Sequence, residues 1–102
     1  MFEAREAIKD TTELIETLEG LRSLLPEFIK VKKDAGVKLN TLAKAYGTRG
    51  QAYIMLIHKD DSNSLLAKKD FLKAIDNFSL KNDKERQYVY LSSVECEAGN
   101  HY

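Results

Sequence analysis

The stretch AKAYGTRGQAYIML, residues 43–56, decides how this chain of 102 residues is read. Small residues and aromatics recur through it at helical spacing, with Tyr46, Gly50 and Tyr53 three or four positions apart. Nothing in it alternates Val, Ile or Thr as a strand would. A second stretch, AKKDFLKAI at 67–75, carries Ala67, Phe71 and Ala74 at the same kind of spacing. Between the two lies HKDDSNS, residues 58–64, built from turn and capping residues. The centre of the chain is therefore read as two helices joined by a loop.

Working outward gives more helix. Ala4, Ile8, Ile15, Leu18 and Leu25 form an apolar stripe that Ala7, Leu14, Leu21 and Phe28 widen, which predicts an amphipathic helix over residues 2–24. Thr11 and Arg22 interrupt its seam, and Gly20 permits a bend. Pro26 suits the first turn of a short second helix, 27–35, with Gly36 as its left-handed terminator. Asn40 is expected to cap a third helix over 41–58. A fourth follows over 65–79. Asn82 with Glu85 resembles a capping box for a fifth, running to Gly99. The expectation is an all-α fold of antiparallel helix pairs, one compact domain in which residues 1–40 form an N-terminal cap or assembly segment.

Composition sets the outer bounds. The chain is 43% hydrophobic and 31% charged, with 16 basic and 16 acidic residues. A chain of this size buries roughly 65% of the surface its unfolded form exposes, enough for a core without staples. The single Cys96 excludes an internal disulfide and suits a reducing compartment. No apolar run approaches the ~20 residues of a membrane span, and no secretory leader opens the sequence. The expected setting is intracellular, in the cytoplasm. Zero net charge argues against general nucleic-acid binding, which depends on cations displacing counterions. Charge is nevertheless segregated: −4 over residues 1–27, +6 over 28–59 and −2 over 60–102. The basic middle is either an internal complement to its acidic neighbours or a surface for an acidic partner.

The third to fifth helices resemble the tetratricopeptide repeat, a helix–turn–helix unit of about 34 residues. Tyr46 takes the family's aromatic near the start of the first helix, Gly50 its small position, and Ala52 with Tyr53 the small–aromatic pair that follows. Ala67, Phe71 and Ala74 match the second helix, and Tyr88, Leu91, Ser92 and Gly99 open a further repeat. The loop at 58–64 is longer than the family's tight turn, Arg49 stands where Leu is commoner, Ser79 replaces Pro, and Glu95 replaces an aromatic. The resemblance implies about one and a half repeats, with Gly50, Ala67 and Ala74 allowing close backbone approach around Tyr46, Tyr53 and Phe71. The same pattern also fits a helical bundle without repeat ancestry. The face bearing Tyr88, Tyr90, Leu91 and Val94 is expected to lack its partner helix. It would be completed by another chain, by self-association, or by the rest of a longer repeat protein.

The resemblance also implies a peptide groove on the inner faces of the first helices. Those faces carry Lys44, Gly47, Gln51 and Met55, then Arg86, Val89, Ser93 and Glu97. Met offers an adaptable apolar contact, Gln can pair with a peptide amide, and Lys44 or Arg86 can meet a carboxylate. Gly47 and Gln51 stand where chaperone-binding members place their clamp Lys and Asn, so that clamp is not expected. Catalytic chemistry finds no motif. His58, Cys96 and His101 lack zinc-ligand spacing. With Asp61 first, a calcium loop would need Gly at Leu66 and Glu at Leu72. Gly47 and Gly50 make no phosphate loop, and Asn77-Phe78-Ser79 is read as a chance sequon. The function expected is non-catalytic binding of a peptide or partner subunit, without metal or cofactor. The alternative is a structural bundle that self-associates through its N-terminal helix.

Overall fold

The computed structural model describes residues 3–24, 33–57 and 59–101, with side chains over 3–20, 40–57 and 59–95. It contains four helices: α1 (Ala4–Leu24), α2 (Lys33–Met55), α3 (Ser62–Asn77) and α4 (Lys81–His101). No strand occurs among the described residues. The fold is all-α. α2 is its hub, packing on α1 and α3 and, more lightly, on α4, while α3 also packs on α4.

The α2–α3 pair is antiparallel, as three hydrogen bonds show. Asn40 meets Ser79, Arg49 meets Asp70, and Leu56 meets Asn63, so numbers rise on one helix as they fall on the other. Two apolar clusters fill the space. Ile15 of α1, Leu42, Ala43, Ala45 and Tyr46 of α2, Ala74 of α3 and Phe78 form one. Ala67 and Phe71 of α3 with Val94 of α4 form the other, flanked by Tyr53, Ile54, Tyr90 and Leu91. Phe71 and Tyr90 stack at 5.6 Å between centroids. Gly50 makes this approach possible, since a Cβ there would lie 2.9 Å from ring atoms of the fully buried Phe71.

Polar side chains set the register. Arg49 donates to both carboxylate oxygens of Asp70 at 2.8 Å and to Thr12 Oγ1 at 3.1 Å, joining three helices. Its guanidinium lies 5.7 Å from the Tyr46 ring and 6.0 Å from the Tyr53 ring, within cation–π range. The bond to Asp70 raises the Arg49 pKa. Burial pushes the Asp70 carboxyl above its ordinary value, and the Arg49 hydrogen bonds and charge pull it back without reversing the shift. Tyr46 also donates to Glu19 of α1 at 3.2 Å. Burial, then the Glu19 charge, pushes its phenol upward.

Several boundaries differ from expectation. α2 runs unbroken through Gly36 and Asn40, so neither ends nor caps a helix, and residues 27–32 of the expected short helix lie outside the described residues. A glycine inside a helix costs roughly 1 kcal/mol, less than burying a single leucine such as Leu42 gains. Asn40 instead ties α2 to the α3–α4 junction: its Oδ1 accepts from the Ser79 backbone N–H and hydroxyl, both at 3.3 Å. α2 stops at Met55, where Leu56 and Ile57 donate three residues back and the buried Ile57 anchors the exit. α3 starts at Ser62, whose N–H donates to Asp60 Oδ1 at 2.9 Å, and Asn63 satisfies the Leu56 carbonyl at 2.7 Å. α4 starts at Lys81 and includes Gly99, so Asn82 sits within the first turn rather than at the cap. The face expected to be unpartnered is largely covered, because Val94 is fully buried and Tyr90 and Leu91 pack beside it, while Tyr88 is exposed.

Two stability experiments follow from this packing. Arg49→Met should cost about 3–5 kcal/mol by urea unfolding, because Asp70 is left buried without its partner. That loss should shrink as pH falls through the carboxylate range: the unpaired carboxyl has a folded pKa above its unfolded one, and its proton removes the buried charge. Adding Asp70→Leu should recover most of it at neutral pH. Separately, Gly50→Leu should cost about 1–3 kcal/mol by overpacking against Phe71. Gly20→Ala, which meets nothing within 4 Å, should gain up to about 1 kcal/mol.

Candidate functional site

Two antiparallel pairings in succession, α2 on α3 and α3 on α4, bring α4 back alongside α2. The helices leave between them a groove of about 300 Å³. Lys44, Gly47, Thr48 and Gln51 line it from α2; Asp83, Arg86, Gln87 and Tyr90 line it from α4, with Phe78 from the junction before α4. The α2 residues follow helical spacing on the side turned away from Arg49 and the α3 contact. Two cations, Lys44 and Arg86, stand against one acid, Asp83, so the groove carries a modest positive excess.

Gln87 is the residue in this groove whose environment needs an explanation. Its side chain is 5% exposed, and its Oε1 is buried with no hydrogen-bond partner among the described residues. A buried acceptor left unpaired costs about 1–3 kcal/mol. Gly47 makes room for it, since a Cβ there would stand 2.9 Å from that oxygen. The amide thus packs into the space at Gly47 with its acceptor unsatisfied, beside polar and charged groups that line the same groove.

The residues expected from sequence divide. Lys44, Gly47, Gln51 and Arg86 come together in the groove. Met55 is 57% exposed and Val89 63% exposed, and neither lines it. Ser93 is exposed and donates back to the Val89 carbonyl at 3.2 Å. The side chain of Glu97 lies outside the described residues, as do those of Cys96 and His101, and His58 lies outside them altogether. The difference on α4 is one of rotation. Its inward stripe is the buried Gln87 and Val94 with the half-buried Tyr90 and Leu91, which turns Asp83 and Arg86 toward α2 and carries Val89 and Ser93 to the outside. Gln87, Thr48, Asp83 and Tyr90 were not foreseen. The signal for Gln87 existed in the apolar spacing of Tyr90, Leu91 and Val94, which one turn earlier falls on residue 87.

Among the described residues no group of three or more His, Cys, Asp or Glu could hold a metal ion. No helix among them is long and apolar enough to cross a membrane. No family model, curated protein or solved structure matches the chain.

Gln87→Met removes the orphan oxygen at nearly constant volume. It should raise the urea midpoint, by about 1 kcal/mol of stability. A loss of that size would show that the amide is already satisfied in the free protein.

Proposed function

We propose that this chain is a non-catalytic interaction module, tetratricopeptide-like in its helix pairing, that holds an extended segment of a partner protein in the groove between α2 and α4. The observation that carries the reading is the Gln87 amide. The Gln87 oxygen has no donor within the fold, and a turn of its amide toward the groove it lines lets a bound segment supply one from its backbone N–H. Gln51 offers a second amide in the same groove, and Lys44 and Arg86 offer cations to a carboxylate on the segment. The small positions expected of a tetratricopeptide-like contact, Gly50, Ala67 and Ala74, are all buried, which supports the likeness of layout. An intracellular, cytoplasmic setting fits the lone Cys96.

A random peptide library displayed on phage, panned against the immobilised chain, tests this reading. Enriched peptides should lose about tenfold in affinity, ~1.4 kcal/mol, when Lys44→Ala and Arg86→Ala are combined. They should also weaken with Gln87→Met while the fold is retained by circular dichroism. No enriched sequence, or binding indifferent to these variants, rejects the groove.

A further inference from the structure

A different surface of the molecule carries a second, independent inference. α3 turns Ala67, Phe71 and Ala74 into the core and presents the opposite side to solvent. That outer side holds Leu65, Leu66 and Leu72, which are 56%, 38% and 49% exposed. Leu65 and Leu72 stand one heptad apart, the spacing of a seam between helices, and Lys69 and Lys73 lie on the same exposed side. Exposed leucines are ordinary one at a time; several on one helix face with charges beside them mark an association surface. Asp76 is the one exposed acid within α3.

α1 presents the complement. Opposite its buried Ala4 and Ile15, it exposes Glu6, Asp10 and Glu13 at successive turns, with Leu14 beside them at 41% exposure. Lys9 stands within the same stripe, three residues after Glu6 and four before Glu13, and leaves it with a net acidic excess, while Arg5 is exposed on another side of the helix. None of Glu6, Asp10, Glu13, Lys69 and Lys73 forms an ion pair within the chain among the described residues. α1 and α3 do not pack on each other, and both bury their inner sides on α2, so the acidic and basic faces of one chain both look outward.

We propose that the occupant of the α3 outer face is a second copy of this chain, docked through the outer face of its α1. A two-fold axis makes the contact reciprocal: the acidic stripe of each copy meets Lys69 and Lys73 of the other, and Leu14 meets the leucines. The dimer covers both apolar patches at once, and the charges fix its register. The α2–α4 groove lies elsewhere on the molecule and takes no part.

Sedimentation equilibrium on the full chain tests the interface. The wild type should sediment at twice its 11.6 kDa monomer mass and dissociate progressively as salt is raised. Lys69→Glu with Lys73→Glu should raise the dimer Kd about tenfold or more, and so should Asp10→Lys with Glu13→Lys. All four positions are exposed, so unchanged helical circular dichroism verifies the fold of each variant. Mixed in equal amounts, the two variants should dimerise again, because each then offers the charge the other lacks. A wild type that stays monomeric at every concentration overturns the proposal. So does a dimer that both variants retain, or a mixture that fails to reassociate.

Discussion

The Arg49–Asp70 pair is the constraint on which the arrangement of helices depends. Apolar contact alone would allow α2 and α3 to slide past each other, since Ala43, Ala45, Ala52, Ala67 and Ala74 are nearly interchangeable as packing partners. A guanidinium that gives two parallel hydrogen bonds to one carboxylate does not slide. Asp70 is 3% exposed, so any shift of register would leave a buried charge without its partner, at a cost of several kcal/mol. The third bond, to Thr12, extends the same constraint to α1. Tyr46 and Tyr53, one turn to either side of Arg49 on α2, bracket the cation and keep its planar group in place. The pair therefore specifies position more than it adds net stability.

How far the sequence reveals this fold varies with the kind of feature. Helix content, the α2–loop–α3 hairpin, and the burial of Gly50, Phe71 and Ala74 are all legible, because they rest on periodicity and volume over many residues. Boundaries are not, because they depend on the balance between a weak local preference and packing elsewhere. Gly36 and Asn40 carry terminating preferences of about 1 kcal/mol each, and the burial that follows at Leu42, Ala43, Ala45 and Tyr46 overrides them. Asn40 still accepts a backbone N–H with its side chain, but across the fold, from Ser79 in the α3–α4 junction. Arg49 is a charge among apolar and small residues of α2, and nothing in a linear reading shows that Asp70, 21 residues on, stands opposite.

The groove was half legible for a related reason. On α2 the exposed side could be placed well enough to find Lys44, Gly47 and Gln51. On α4 the apolar residues are spread around the helix, with Tyr88 and Val89 exposed beside the inward Tyr90 and Leu91, so its rotation was not fixed by pattern. The structure resolves the ambiguity through Phe71, whose ring takes Tyr90 on its face and Val94 beside it. Once those two are turned inward, helical geometry forces Gln87 to be buried and carries Val89 and Ser93 out of reach.

That rotation ties the site to the core. Gly47 and Gly50 lie one turn apart on α2; the first admits the Gln87 amide from α4 and the second the Phe71 ring from α3. Phe71 in turn positions Tyr90, one turn beyond Gln87 on α4. The depth at which Gln87 sits is thus set twice, directly by the missing side chain at residue 47 and indirectly by the missing one at residue 50. A larger residue at either place would move α4 relative to α2, and with it the spacing of Lys44 from Arg86 across the groove. The polar geometry of the candidate site is a consequence of how closely three helices approach the same turn of α2.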